Sequence, residues 1–404
     1  MTATKTLAFL LAASTTVAAQ QMTFEDVVRN LRNPDPKARL AAIRLLREAK
    51  YPEAVAPMAP LVVDQFDDVQ LEAISAELSF FLPDQDVRTK KMVGYVIEKR
   101  SSGVALQAFD LGPLAVWPRP APPELLDALL TAIDDHDSKV RLEAIYAFGI
   151  VARPPISTDQ QAKLIRGLDH YDPAIRSGVA RVIERQKFPG MGDALIKAVN
   201  DSQPEVRFAA MRALGAVHEA RAIPALTEQL AFYKKGEGAW SALHGLALIG
   251  AGSSVPVFTE RLQDKDPYMR RSAAEGLGRT GDAASIESLE RMVTTDESVM
   301  VRAACAFALQ KLGRNYSARL VDLMNDTKAI PSAQEYLVEL GPPMAGPLVP
   351  RLQEPGAAVR AAVADVLGAI GDVSTLPALE AVAKDTDPAV ATAASRAIAR
   401  IKSR

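Results

Sequence analysis

The chain has 404 residues, of which 48% are apolar and only 5% aromatic, and its 47 basic and 49 acidic residues give a net charge of −2. This balance argues against a nucleic-acid partner, because proteins that wrap around nucleic acid generally need a basic surface. The length would suit two or three globular domains, but a repeating helical pattern overrides that expectation.

The first 19 residues differ from the rest. Lys5 is their only charged residue, residues 7–13 form a short apolar run, and small residues precede Gln20. The run is too short for a bilayer, which needs about 20 apolar residues. We therefore interpret residues 1–19 as a secretory signal peptide cleaved after Ala19. A periplasmic or secreted protein of a bacterial cell follows, with no stable membrane span. The alternative is a first helix of the repeat array or a frayed terminus.

Residues 20–136 are predicted to be helical but irregular. A lone helix over residues 22–32 precedes a first repeat from residue 33, a second from about residue 67, and a third helix pair over 87–100 and 122–133. The connection over residues 101–121 is long and apolar, and such loops are functional more often than disordered. It is either a flap over a repeat junction or a partner-binding loop, and the two are compatible. Its candidate partner-binding residues are Phe109, Leu111, Leu114 and Trp117.

From residue 137 to 404 one two-helix phrase recurs. In the copy at residues 354–390, apolar residues fall on one helical stripe, and Gly371 supplies a helix stop. One hairpin cannot bury its own apolar stripe, so each copy needs neighbours. The expected helix N-caps, spaced by 29 to 35 residues, are Asp137, Asp172, Gln203, Gly236, Asp266, Ser298, Thr327, Gly356 and Asp387.

An arginine follows four residues after most caps. A cation near a helix N-terminus opposes the helix dipole, so each arginine needs a partner, either the Asp four residues earlier or a cap residue of the adjacent repeat. We interpret these arginines as structural and not as anion-binding. They are Arg39, Arg141, Arg176, Arg207, Arg270, Arg302 and Arg360. Glycines eight residues further on predict close helix approach (Gly149, Gly215, Gly278, Gly368), and glycines three residues later predict helix stops (Gly281, Gly313, Gly371).

These phrases, such as residues 206–215 and 270–281, resemble HEAT repeats of the phycobilisome-lyase type. The resemblance covers residues 33–404 and is clearest from residue 137. It implies an all-α fold, a right-handed superhelix of about ten helical hairpins, with Asp–Arg contacts between repeats. It implies little about chemistry, because such repeats serve many roles.

The pattern lapses at a few positions. Trp240 and Pro331 replace the arginine in two repeats, and the last repeat has a single helix, which fits a C-terminal cap facing water. Phe232, Tyr233 and Trp240 cluster around a glycine-containing turn. We interpret this cluster as core, with a ligand-binding surface as the alternative.

Catalytic chemistry is not indicated. Cys305 is flanked by alanines and fits a core position, while the acidic turn at residues 134–137 fits a solvated loop better than a cation site. Deoxyhypusine hydroxylase, an enzyme built from these repeats, carries repeated His-Glu pairs that hold iron, whereas this chain has His218-Glu219 alone. We therefore expect no catalytic, cofactor-binding or metal-binding residues.

The sequence thus predicts a non-enzymatic scaffold that binds protein partners along a surface formed by the second helices of the hairpins. Candidate partner-binding residues there are Arg261, Arg291, Arg319 and Arg351. The alternative is an enzyme or accessory subunit of the bilin-lyase or HEAT-repeat oxidoreductase kind.

Overall fold

The computed structural model describes residues 23–83, 103–326 and 329–404, and all regular elements in these ranges are α-helices or short 3₁₀ helices. The chain forms two compact units. The first comprises Met1–Asp110 and Arg119–Ala152, and the second comprises Leu111–Pro118 and Arg153–Arg404. The proposed signal peptide and the helix expected over residues 87–100 lie outside the described residues.

The described part of the first unit contains seven α-helices. Short 3₁₀ helices at Pro52–Ala54 and Ala59–Val63 flank the third of them. The helices are α1 (Phe24–Asn30), α2 (Pro36–Ala49), α3 (Val55–Met58), α4 (Asp67–Phe81), α5 (Val104–Asp110), α6 (Pro123–Ala132) and α7 (Ser138–Val151).

In this unit α2, α4 and α7 pack side by side as first helices, while α6 packs against the 3₁₀ helix Ala59–Val63 as a second helix. Gln70 stands at the arginine position of α4, and its Nε2 donates to Asp135 Oδ2 at 2.8 Å across 65 residues of sequence. The equivalent contact between ordinary repeats spans 25 residues. α6 therefore serves as the second helix of the repeat that α4 begins. Residues 87–100, the predicted partner of α6 in a third helix pair, lie outside the described residues. We call the described residues 103–122, which precede α6, the insertion.

The described part of the second unit contains sixteen α-helices, most of them paired in hairpins. They are α8 (Thr158–Gly167), α9 (Pro173–Gln186), α10 (Gly192–Ala198), α11 (Pro204–Ala216), α12 (Ile223–Tyr233), α13 (Gly236–Ile249), α14 (Val255–Arg261), α15 (Pro267–Thr280), α16 (Ile286–Thr295), α17 (Val299–Lys311), α18 (Ser317–Asp322), α19 (Ile330–Leu340), α20 (Ala345–Leu348), α21 (Ala357–Ile370), α22 (Leu376–Val382) and α23 (Pro388–Lys402). Short 3₁₀ turns lead into many second helices, as at Ala283–Ser285 before α16.

Helix starts follow the predicted chemistry. Asp172 and Asp387 are N-caps whose carboxylates accept backbone N–H bonds from the first turn, with Pro at the first helical position. Asp137 and Asp266 cap their helices in the same way. The remaining confirmed caps use no side-chain hydrogen bond: Gln203, Ser298 and Gly356.

Two predicted caps fall elsewhere. Gly236 is the first residue of α13, which Lys235 caps, so that prediction was wrong by one residue. Its φ of +74° explains the placement, because a helix entry in this region favours glycine. Thr327 lies outside the described residues.

The glycine predictions are confirmed where the structure tests them. A Cβ on Gly278 would lie 2.5 Å from Ala308 Cα, and one on Gly368 would lie 2.5 Å from Ala397 Cα. Both contacts join the first helices of adjacent repeats, which therefore approach closely only because the side chain is missing. Gly281 and Gly371 end their helices in the left-handed conformation.

The repeated arginines form a ladder with aspartates of the following repeat. Nη1 of Arg176 donates to the carbonyl oxygens of His170 (2.8 Å) and Tyr171 (3.3 Å), while Nε and Nη2 hold both carboxylate oxygens of Asp201, at 2.7 and 2.8 Å. Asp201 also accepts the backbone N–H of the next cap, Gln203, at 2.9 Å. The same arrangement recurs at Arg39–Asp64, Arg270–Asp296 and Arg360–Asp385, the first with a single Arg–Asp bond.

The ladder confirms the Asp–Arg contacts implied by the resemblance and corrects their partners. The Asp four residues before an arginine is occupied as a helix cap, as Asp172 shows by accepting the N–H of Ala174 at 2.9 Å. The arginine instead bonds to its own preceding turn and to an Asp two residues before the next cap. These neutral and charged acceptors offset the unfavourable placement of a cation at a helix N-terminus.

The insertion packs onto helices in both units. In the first unit, Phe109 of α5 is 7% exposed and lies 5.1 Å from the ring of Tyr146. In the second unit, Leu111–Pro118 packs against α21, and Nη2 of Arg400 on α23 donates to the carbonyls of Leu114 (3.2 Å) and Val116 (3.0 Å). The last repeat is therefore partly covered by an internal segment, whereas the sequence predicted a face open to water.

No helix in the described ranges has both the length and the apolar character required to cross a membrane.

Candidate functional site

The second unit contains a pocket of about 440 Å³ between the first helices of four repeats. α11 contributes Arg212, α13 contributes Trp240 and His244, and α15 contributes Tyr268 and Arg271. The N-terminal half of α19 supplies the opposite wall. Pockets of this volume suit a few side chains or a small ligand.

The pocket opens where the ladder is interrupted. Trp240 and Pro331, two of the residues that stand in place of the repeated arginine, both line it. Trp240 retains one contact with the following repeat. Its Nε1–H donates to Asp266 Oδ2 at 2.6 Å, across 26 residues, as an arginine would. Its ring stacks on Tyr268 with 4.6 Å between centroids. An aromatic wall thus takes the place of a guanidinium.

The prediction that Phe232, Tyr233 and Trp240 form a core cluster was wrong for two of them. Phe232 is 72% exposed, and Trp240 is part of the pocket wall. Tyr233 replaces the ladder Asp: its hydroxyl accepts from Arg207 Nε at 2.6 Å. Where the repeat pattern is lost, Phe232 and Trp240 therefore lie at the surface and do not add to the core.

A buried carboxylate lies behind the lining residues Arg271 and His244, and we call this layer the floor. Glu275 is 1% exposed, and its Oε1 accepts from Arg271 Nε at 2.8 Å and from the Tyr336 hydroxyl. Its Oε2 lies 3.6 Å from His244 Nδ1 and 3.6 Å from an Arg279 amino group. Burial alone would raise the pKa of Glu275, but these cationic neighbours hold it well below its usual range. The floor is therefore charged and internally compensated.

α19 reaches past its neighbour α17 to this floor. Tyr336 stacks on Phe307 of α17 at 4.5 Å and bonds to Glu275 of α15. One turn further on, Glu339 accepts from Arg279 Nη2 at 2.8 Å. Burial, followed by the charge of Glu275, raises the pKa of Tyr336 well above its usual range, so the hydroxyl stays a donor.

Two arginines present donors to the pocket. Arg271 is held from behind, because its Nε donates to Glu275 and lies 3.2 Å from the Tyr336 hydroxyl. Its Nη2 lies 3.7 Å from Glu335, beyond hydrogen-bond distance. Arg212 Nη1 donates to Ser241 Oγ at 3.0 Å. Both cations are oriented by protein groups before any ligand arrives.

The residues predicted in the insertion do not meet at one surface. Phe109 is buried in the first unit, which corrects its assignment to partner binding. Leu111 is 50% exposed. Leu114 and Trp117 are half-buried in the segment that packs on the last repeats.

The arginines predicted on second helices lie outside the pocket. Arg291 and Arg319 are exposed. Arg261 pairs with Asp264 at 3.1 Å, and Arg351 pairs with Glu354 at 2.6 Å. The pocket uses first helices instead, and the sequence signal that could have located it is the pair of arginine replacements at Trp240 and Pro331.

The candidate metal ligands in the described ranges are the His218-Glu219 pair and one group in the first unit. In His218-Glu219, the carboxylate is held by Arg221 through Nε and Nη2 at 2.8 Å each. Within the described ranges, Asp67, Asp135 and His136 are the one group with metal-ligating spacing. Asp135 already accepts from Gln70 and from the N–H of the next cap. These residues do not fit a pair of His-Glu iron ligands.

Cys305 is fully buried in α17, and burial raises the pKa of its thiol to about 12. A thiol in this state is neutral at physiological pH and is a poor nucleophile. Its environment agrees with the core position expected from the sequence.

The HEAT repeats family matches residues 161–231, 236–310 and 345–404, just over half of the chain. The chain belongs to the HEAT-repeat family. The matched ranges include α11, α13 and α15, so three of the four helices that line the pocket are HEAT helices.

Several relatives of this HEAT-repeat protein can be compared. It is 30% identical over 126 residues to a deoxyhypusine hydroxylase from Arabidopsis thaliana, and this match spans 31% of either chain. An engineered protein is 20% identical with a TM-score of 0.41, covering 94% of this chain and 98% of its own. The CpcE–CpcF phycocyanin lyase complex from Nostoc is 17% identical with a TM-score of 0.34, covering 74% of this chain and 91% of the other.

Proposed function

We propose that this protein is a non-enzymatic HEAT-repeat scaffold that binds a partner protein in the pocket between α11, α13, α15 and α19. The observation that carries the proposal is the coincidence of the pocket with the two ladder replacements, Trp240 and Pro331. Aromatic and arginine side chains in a concave site are the residue types that dominate binding energy at protein interfaces.

The charged groups under the pocket support binding over catalysis. The pKa values of four groups are shifted, and each group is paired with another member of the set: Glu275, Arg271, Arg279 and Tyr336. Mutual pairing of this kind stabilises a helix junction. The buried thiol of Cys305, with its raised pKa, supports the same interpretation.

The experiment is site-specific photo-crosslinking in the cells that make the protein. A benzophenone analogue of phenylalanine replaces Tyr268, which is 45% exposed at the pocket. The control carries it at Phe232, 72% exposed and outside the pocket. We expect a discrete adduct from position 268 that weakens as salt is raised and is absent from position 232. Identical adduct patterns at both positions, or none at position 268, would refute the proposal.

We also propose export, which rests on the composition of residues 1–19. Mass spectrometry of the purified protein should then find an N-terminus at Gln20 and recover it from the periplasmic or secreted fraction. A chain that retains Met1 in the cytoplasmic fraction would overturn this part alone.

A second candidate function is an enzyme or accessory subunit of the bilin-lyase or HEAT-repeat oxidoreductase kind, supported by the 126-residue match to a deoxyhypusine hydroxylase. The test is metal analysis of protein purified without chelators. Stoichiometric iron or a visible absorption band would establish this candidate, and a colourless, metal-free sample with the crosslink at position 268 would reject it.

A further inference from the structure

We propose that the pocket recognises an acidic side chain, Asp or Glu, in an extended segment of the partner, through the guanidinium of Arg271 and beside the Trp240–Tyr268 wall. This inference rests on the proposed scaffold function and adds the chemical class of the bound group. Three observations support it: Arg271 has a fixed orientation, the acidic groups lie at the rim of the pocket, and Glu335 lies where a ligand carboxylate would bind.

Arg271 is presented as a preformed fork. Its Nε is bound to Glu275, and its side chain is 19% exposed on the pocket wall. In the described ranges, neither terminal amino group of Arg271 makes a hydrogen bond within the chain. Two parallel N–H groups on a planar guanidinium match the two oxygens of a carboxylate. The buried partner Glu275 fixes this fork, so little side-chain entropy remains to be lost on binding.

Arg212 strengthens the positive wall. Its Nη1 bonds to the hydroxyl of Ser241, which is 2% exposed, and its Nε lies 3.4 Å from Glu184. The rim carboxylate Glu237 lies 3.6 Å from Nη1. A ligand carboxylate in the pocket would therefore meet cations from both α11 and α15.

The acidic residues of the pocket are rim groups. Glu335 and Glu237 have side chains 72% and 61% exposed, against 19% and 25% for Arg271 and Arg212. A cationic ligand would have to pass these carboxylates and then meet two arginines at the wall. The gradient from exposed carboxylates to less exposed guanidiniums therefore favours an anionic group inside the pocket.

Glu335 acts as a loose internal competitor. Its carboxylate lies 3.7 Å from Arg271 Nη2, where a ligand oxygen would bond. Its side chain is 72% exposed and makes no hydrogen bond to Arg271, so an external carboxylate can displace it from the fork. Removal of this charge should free the fork for an external carboxylate. The same change would weaken a pocket that binds cations.

The experiment uses the full chain and fluorescent, acetylated and amidated eight-residue peptides that contain one tyrosine. One peptide carries two glutamates beside the tyrosine, a second carries two glutamines, and a third two lysines. A fourth is the glutamine peptide with a free C-terminus. Fluorescence anisotropy gives each Kd at low salt. We expect the glutamate peptide to bind about tenfold more tightly than the glutamine and lysine peptides.

Four variants test the mechanism with the glutamate peptide. We expect Glu335→Gln to tighten binding about threefold and Arg212→Gln to weaken it about fivefold. Arg271→Lys keeps the charge and loses the fork, so we expect about a tenfold loss. Arg314→Gln, at an exposed arginine just after α17 and outside the pocket, is the matched control and should change Kd less than about twofold.

The outcomes separate this inference from the scaffold proposal. Tighter binding of the lysine peptide, or weaker binding by Glu335→Gln, would overturn carboxylate recognition even if the crosslink at position 268 is found. Preference for the free C-terminus over the glutamate peptide would replace the acidic side chain by a chain end. Failure of all four peptides together with no crosslink would remove the proposed function as well.

Discussion

The close approach of adjacent first helices leads to a quantitative prediction at Gly278. A Cβ at this position would lie 2.5 Å from Ala308 Cα and 2.8 Å from Ala308 Cβ. The obstacle is backbone and cannot rotate away, so α15 and α17 must separate to admit one methyl group. Overpacking of this kind costs about 1–3 kcal/mol.

An opposing term acts on the same substitution. Alanine is favoured over glycine within a helix by about 1 kcal/mol. Gly346 in α20 is a control without the helix contact, because a Cβ there has no neighbour within 4 Å beyond its chain neighbours. We expect Gly346→Ala to be close to neutral, because the propensity gain is offset by the following Pro347. Gly278→Ala should be destabilising by up to about 2 kcal/mol after the two terms are combined.

The assay is thermal unfolding of the full-length variants by circular dichroism at one protein concentration. A loss of 1 kcal/mol lowers Tm by about 2–4 °C in a unit of this size. We expect Gly278→Ala to melt several degrees below Gly346→Ala. Equal melting temperatures for the two variants would refute the argument that the glycine is required for helix contact.

The remaining predictions concern titratable groups. Burial would raise the pKa of Asp296, but hydrogen bonds from Arg270 and the next cap hold it below its usual value. Its contribution to stability is therefore complete above about pH 4 and is lost as the pH falls through the folded pKa, so Asp296→Asn should flatten the fall of Tm between pH 5 and 3. Burial raises the pKa of Glu77 well above its usual value, and its carboxylate oxygens have no hydrogen-bond partner among the described residues. Its protonated form is stabilised, so stability is lost as the pH rises above about 4.5. Glu77→Gln should consequently raise Tm more at pH 8 than at pH 5, whereas Glu48→Gln, at an exposed position, should raise it at neither. The thiol of Cys305, with a pKa near 12, should resist a thiol reagent at pH 8 and react fully in guanidinium; rapid reaction of the folded protein would contradict its burial.

The regular repeats could be predicted because local chemistry determines them. Asp172 is followed by Pro, and this pair is a strong local signal for a helix start. Gly371 ends a helix because few residues other than glycine adopt the left-handed conformation. These signals act within a few residues of sequence. The partner of Arg176 could not be predicted in the same way, because Asp201 lies in the next repeat and its role as a ladder residue depends on how the two repeats stack.

The pairing of α4 with α7 could not be predicted for a related reason. Gln70 stands where the pattern has arginine, so the sequence of α4 gave no signal that its partner would be Asp135. The packing of α4 against α7 and the contact of Gln70 with Asp135 show that these are successive first helices.

The pocket depends on what the ladder does at its other positions. In several repeats an arginine ties the start of the first helix to the following repeat, as Arg270 does with Asp296. α19 has Pro331 at this position, and its course is determined instead by Tyr336 and Glu339, which reach back to α15. The helix that lacks the ladder contact is thus the one that forms the far wall of the pocket. The substitution Pro331→Arg should draw α19 toward the regular array, because the site depends on the loss of the arginine from α13 and α19.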